Sequence, residues 1–170
     1  FGVEWKADET VKRLMDDQRI QPSIVVAIDN SPNRLTEYSP VPTTLNQQVV
    51  GGDADRYLRF LCEEVKPLID REFRTIDTPE HTAIIGSSMG GLFVLHALRV
   101  RNDVFGSGVA MSPTLFWGHG HTLKAYQAQA GGGVDELHSA RLFRDEQHAG
   151  ARREGDRPGF LGKKYFLRDR

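Results

Sequence analysis

The sequence predicts an α/β fold with a mostly parallel sheet, and three observations carry that prediction. Short β-branched runs alternate along the chain with apolar stretches of helical period. The turn Gly86-Ser87-Ser88-Met89-Gly90 joins one such run directly to a helical pattern. The composition, 39% hydrophobic and 26% charged over 170 residues, suits one domain, 1–170, with a real core.

The elements follow in order. Residues 1–20 read as the end of a loop and then a helix, with Asp8 as N-cap and Val11, Leu14, Met15 and Ile20 on one face. Pro22 is expected to stop it. Residues 23–28 (Ser-Ile-Val-Val-Ala-Ile) form a run suited to a strand buried on both faces of a parallel sheet. Residues 29–52 read as a long loop at the carboxyl end of that strand, where open α/β sheets place ligands. A functional loop and a plain surface excursion both fit it. Asp53 to about Phe73 is an amphipathic helix with Tyr57, Leu58, Leu61, Cys62, Val65, Leu68 and Ile69 on its apolar side, kinked or ended early by Pro67. After a polar connector comes the strand at 82–87 and the helix that begins at Met89. Residues 105–111 make a further buried strand, which runs out into Ser112-Pro113-Thr114-Leu115-Phe116-Trp117. Alternation of this kind implies right-handed crossovers.

The turn at Ser88 is the most informative stretch. A strand that passes straight into a helix holds its turn residue in a strained conformation and brings the flanking residues together. Gly86 and Gly90 are therefore both expected to need the absence of a side chain. The strain lifts the Ser88 hydroxyl clear of the backbone, while the new helix aims its free N–H groups and positive end at the same spot. An oxyanion there would take a hydrogen bond from the Met89 N–H. No Lys follows the glycines and no G-x-G-x-x-G is present, which excludes the Walker and dinucleotide loops. The rival reading is a tight turn with Ser88 as an ordinary helix cap.

These motifs together are similar to the putative esterase family of α/β-hydrolases, the enterochelin-esterase-like and esterase-D-like group. The resemblance is strongest over residues 24–117. It rests on Ile28-Asp29-Asn30-Ser31, Arg34, Glu37-Tyr38-Ser39-Pro40, Asp70-Arg71-Glu72-Phe73-Arg74-Thr75, Ile85 to Leu92 and Ser112 to Trp117. It implies a three-layer α/β-hydrolase sandwich and hydrolysis of carboxylic esters through an acyl-enzyme on Ser88. It also implies that the 34–40 and 112–117 loops flank the site, with Arg34, Tyr38 and Trp117 toward the substrate. A small-molecule ester is the implied partner, and no cofactor or metal is expected. The chain is expected to lack the family's N-terminal strands and C-terminal end. Residues 1–5 resemble the tail of the former, and 131–137 and 165–167 resemble segments near the catalytic acid and base. Where the family carries its acid, this chain has Gln127, Ala128, Gln129 and Ala130.

A serine hydroxyl needs a base, and five histidines follow Ser88. His96 lies two turns along the elbow helix and is expected to be structural. His119 and His121 sit in a Gly-rich loop without a carboxylate or Cys to complete a metal site. His138 and His148 fall in a helical pattern over 134–149, where surface positions are the expectation and His148 as base is the alternative. Asp135 and Glu136 have a helix-capping explanation. The segment 152–157 mixes charge signs and reads as a solvated loop. With a net charge of −1, neither a nucleic-acid nor a membrane-surface partner is expected. No apolar run reaches membrane-spanning length and no leader precedes Phe1, so a cytoplasmic location is expected. Cys62, the single cysteine, is expected to be a buried structural thiol. Two rivals to ester hydrolysis remain: a non-catalytic binding module of the same fold, and an acyltransferase.

Overall fold

The computed structural model describes residues 6–129. The readings made above for 1–5, 131–137, 134–149, 152–157 and 165–167 lie outside the described residues. The chain divides into two compact units, Phe1–Pro32 and Asn33–Arg170.

In the first unit, α1 spans Ala7–Asp16. Asp8 is not its cap. Lys6 takes the cap position in the left-handed region, and Asp8 and Glu9 lie in the first turn, where their charge meets the positive helix end. Nor does Pro22 stop it. Gln18 turns left-handed at φ 55°, Arg19 N–H reaches Leu14 O and Gln18 N–H reaches Met15 O, both at 2.9 Å. That crossed pair is a Schellman ending, and it closes the helix before the proline is reached. The 23–28 run carries no strand. β-Branched composition favours extended backbone, but a strand also needs a ladder partner, and this run has none among the described residues.

The second unit begins with α2, Arg34–Glu37, and continues into a hairpin, β1 (Pro42–Leu45) and β2 (Gln48–Gly51), paired antiparallel from Pro42↔Gly51 to Leu45↔Gln48. The expected loop is thus largely ordered. Its turn residues Asn46 and Gln47 both have positive φ, as a two-residue type I′ turn demands. Ser39, fully buried, ties the segment together. Its hydroxyl donates to Leu35 O at 2.6 Å, and its carbonyl accepts from Gly52 N–H and Ala54 N–H at 3.1 and 3.2 Å.

The following helix runs as α3 (Ala54–Phe60), a π turn (Leu61–Val65) and α4 (Lys66–Glu72). Pro67 does not end it. A proline lacks the N–H that the carbonyl four residues back would use, and the wider turn just before it absorbs the mismatch.

The centre of the unit is β3 (Ala83–Ser87), α5 (Met89–Val100) and β4 (Ser107–Met111). β3 and β4 pair parallel, from Ala83↔Ser107 to Ser87↔Met111, so the expected βαβ crossover is present. α5 is buried from Gly91 through Ala97. Phe93 and Ala97 pack with Ala54, Leu58, Leu61 and Phe105, and Val94 and Leu95 pack with Ala110. Each large side chain so buried contributes on the order of 2 kcal/mol. Cys62 is half-buried beside the first of these clusters, and burial raises its thiol pKa. A short 3-10 turn (Trp117–Gly120) and α6 (His121–Gln129) complete the described chain. His121 therefore opens a helix and is not a loop residue. No described helix is long and apolar enough to cross a membrane.

Candidate active site

β3 delivers the chain to Ser88 in a conformation that side chains rarely adopt, φ 56° and ψ −117°. Such backbone costs about 1–3 kcal/mol and persists only where its surroundings over-determine it. Here three backbone hydrogen bonds do so. Ser88 N–H donates to Met111 O at 2.9 Å, and Ser88 O accepts from Leu92 N–H at 3.0 Å and Thr114 N–H at 3.2 Å. The serine is thereby pinned both to its own helix and to the loop leaving β4. Its side chain makes no capping hydrogen bond to α5, and the residue is exposed. That removes the helix-cap explanation for Ser88.

The two glycines around it are not equivalent, contrary to the expectation from sequence. A Cβ on Gly86 would lie 2.4 Å from Gly90 O and 2.5 Å from Gly90 C, an overlap with backbone that no rotamer relieves. A Cβ on Gly90 would meet nothing within 4 Å. The close approach is one-sided: the Gly86 Cβ position faces the Gly90 backbone, and the Gly90 Cβ position faces open space. Gly91 is the tighter of the two helix glycines, since its Cβ would lie 3.1 Å from Met111 O and 3.2 Å from Pro113.

Met89 opens α5, so its N–H has no acceptor within the helix, while its side chain is buried. The Met89 side chain, Leu92 and Trp117 form one cluster, with Tyr38, Val41 and Val50 against it. Three of the five residues singled out from the sequence, Met89, Tyr38 and Trp117, thus meet in one cluster, next in the chain to the serine through Met89. Trp117 is a buried support, its Nε1–H donating to Val41 O at 2.8 Å. Tyr38 lies in an aromatic group with Tyr57 and Phe93, ring centroids 5.3 and 5.8 Å away. Burial and Tyr38 push the Tyr57 phenol pKa well above its ordinary value. Arg34, one turn before Tyr38 on α2, is half-buried.

Two features of the site were not anticipated. The first is Thr114, whose Oγ1 lies 3.4 Å from Ser88 Oγ; it is the only side-chain partner of that hydroxyl among the described residues. The polar residue just past a strand exit was the available signal. The second is the pairing of His96 with Asp55, Nε2 to Oδ1 at 2.7 Å. His96 is buried, and burial holds its pKa below the ordinary value against the opposing pull of Asp55. The distance suits an ion pair and the lowered pKa does not. The two agree if neutral His96 donates its Nε2–H to the carboxylate. His96 is thereby committed to α3, in line with its expected structural role. His119, at φ 55°, and His121 are exposed, and neither hydrogen-bonds to Ser88 Oγ. No group of three or more metal-ligating side chains gathers among the described residues.

Comparison with known proteins places these features in context. The model of the family described as Putative esterase matches residues 1–144. The chain is similar to the ferri-bacillibactin esterase BesA of Bacillus subtilis (strain 168), 41% identical over 73 residues, which are 43% of this chain and 25% of that protein. It is similar in structure to the siderophore hydrolase EstA from Aspergillus nidulans, with a TM-score of 0.58, 26% identity, and coverage of 78% of this chain and 49% of that one. An IroE-like serine hydrolase from Shewanella oneidensis aligns with a TM-score of 0.53 and 27% identity over 61% of this chain and 34% of its own. The chain spans a quarter to about half the length of these relatives.

Proposed function

We propose that this chain, which belongs to the Putative esterase family and has an α/β-hydrolase type of fold, hydrolyses carboxylic esters through an acyl-enzyme on Ser88. The observation that carries the reading is the state of Ser88: strained, exposed and not used as a helix cap. A serine held at that energetic cost without a structural task is poised for chemistry.

The steps follow from the atoms around it. Ser88 Oγ attacks the ester carbonyl carbon, forming a C–O bond while its proton passes to a general base. The carbonyl oxygen becomes an oxyanion and takes a hydrogen bond from the Met89 N–H, reinforced by the positive end of α5. Collapse expels the alcohol, which leaves with a proton. Water then attacks the acyl-enzyme and regenerates the serine. The base is a role that no described side chain fills at Ser88 Oγ. Trp117 and Tyr38 serve this site as packing that holds Met89 and Leu92 in place, while Arg34 stays at the start of α2 as a substrate contact.

For the substrate, the names of the relatives point to one class. BesA is a ferri-bacillibactin esterase and EstA a siderophore hydrolase, so a siderophore ester is the substrate proposed for this chain. The test is direct. The chain should react with a fluorophosphonate probe and Ser88→Ala should not, a difference of at least about a thousandfold in labelling rate. Release of acid from ferri-bacillibactin, followed by chromatography, then tests the substrate class. Equal labelling of the chain and Ser88→Ala would mean a non-catalytic protein. Transfer of the acyl group to an added alcohol in place of water would mean an acyltransferase.

A further inference from the structure

We infer that Thr114 is a positioning residue for the nucleophile, its hydroxyl donating a hydrogen bond to Ser88 Oγ; this rests on the reading of Ser88 as the nucleophile. The argument begins with the backbone. β4 ends at Met111, whose carbonyl accepts the Ser88 N–H, and three residues later the Thr114 N–H donates to Ser88 O. The segment from Met111 to Thr114 therefore grips the serine at both its amide and its carbonyl. The grip is stiffened by Ser112, at φ 42°, and by Pro113, buried and packed against Gly91. Thr114 cannot drift from Ser88 without breaking these bonds.

That places one hydroxyl beside another, 3.4 Å apart. The direction of donation matters. A serine that attacks must send its own proton to a base and keep a lone pair for the carbonyl carbon. If Ser88 donated to Thr114, its proton would point at a group that cannot accept it permanently. If Thr114 donates to Ser88, the Ser88 O–H is free for the base, and Oγ is held in one rotamer. The second lone pair of Oγ then stays directed at the incoming carbonyl carbon. At 3.4 Å the contact is long for a hydroxyl pair, as hydrogen bonds to a nucleophile often are before substrate is bound. Thr114 also shares its backbone constraint with Ser88, so the alignment requires little reorganisation at the moment of reaction.

The experiment compares labelling of the 170-residue chain by a fluorophosphonate with that of four variants. In this reaction Ser88 Oγ forms a P–O bond as fluoride leaves and the hydroxyl proton is lost. Thr114→Val keeps the shape and removes the hydroxyl, Thr114→Ala removes it without new bulk, and Thr114→Ser keeps it. Thr114→Val and Thr114→Ala are expected to label about tenfold more slowly, the effect of one net hydrogen bond. Thr114→Ser should stay within about twofold. Unchanged melting temperatures, and a fall in kcat with KM unchanged on p-nitrophenyl acetate, separate positioning from a merely structural role. Labelling of Thr114→Val at the rate of the unaltered chain overturns the inference, as does a Thr114→Ser as slow as Thr114→Val. If the unaltered chain labels no faster than Ser88→Ala, the nucleophile reading itself fails and takes this inference with it.

Discussion

Ser88 and His96 stand at opposite extremes although the same helix carries both. Ser88, at the head of α5, is strained and exposed, and among the described residues its hydroxyl has one side-chain hydrogen-bond partner, at 3.4 Å. His96, two turns on, is buried and bonded to Asp55 at 2.7 Å. Both residue types can do catalytic chemistry, and the environment separates them. A group whose hydrogen bonds are satisfied in the interior contributes to stability; one held in strain with its hydroxyl unspent is available to a substrate.

That contrast can be broken at several points, and the largest effect is expected at Gly86. Gly86→Ala drives a Cβ into the Gly90 backbone, so β3 and α5 cannot keep their junction. A loss of about 3 kcal/mol or more is expected, with labelling at Ser88 falling at least about a hundredfold. Chemical denaturation and the probe read the two effects together, and a Gly86→Ala chain with normal stability would contradict the packing described.

At His96 the expected signature is loss of stability with little loss of reactivity. His96→Ala should cost about 2–3 kcal/mol by removing a buried ring and its hydrogen bond. Labelling at Ser88 should stay within about threefold once folding is restored by lower temperature. The pH dependence gives a second handle. The folded-state pKa of His96 is lowered, so between that value and the ordinary 6.5 the unfolded chain binds more protons than the folded one. Stability from this residue is present in full above about pH 6.5 and is lost as pH falls through the folded pKa. Denaturation midpoints from pH 7 down to 5 should show the decline, and His96→Gln should flatten it; an identical slope in the variant would refute the assignment.

The strain at Ser88 can be measured by comparing Ser88→Ala with Ser88→Gly. Both remove the nucleophile, but only glycine is at ease at φ 56°. Ser88→Gly is expected to be about 1 kcal/mol more stable than Ser88→Ala. Equal stabilities would mean that the turn stores no strain. The smallest effect is expected at Gly90, where a Cβ meets open space in the first turn of α5. Gly90→Ala should be neutral or stabilising by up to about 1 kcal/mol, from helix propensity alone. A destabilisation like that of Gly86→Ala would restore the symmetric picture drawn from the sequence.

The misreadings have a common physical form. The run at 23–28 and the run at 83–87 look alike in composition, yet only the second pairs among the described residues, because pairing belongs to the partner strand as much as to the run itself. The stretch at 42–51 looked like a loop because its turn is Asn46-Gln47 and lacks the glycine that marks such hairpins. Its order comes from Ser39 and from Trp117, which lies far along the chain. Separation in sequence likewise conceals the Asp55–His96 pair, 41 residues apart. Tyr38 and Trp117, which the family's pattern points to, pack in one cluster with Met89 and Leu92, a grouping that their separation in the sequence conceals.

The sequence alone was enough to identify the tight turn, its helix and the strand on either side, because each rests on residues adjacent in the chain, and the family, because several such local motifs follow in order over 24–117. A turn that admits only a small residue at Gly86 and a helix that follows without a break are local constraints, and local constraints are written in consecutive letters. What only the tertiary structure decided is which neighbours Ser88 has. Met111 at the end of β4 and Thr114 in the loop after it grip Ser88, Gly90 turns out to have room, and His96 is taken by α3. Reactivity depends on those through-space contacts, since a hydroxyl's rotamer, strain and charge are set by groups that folding alone brings within reach.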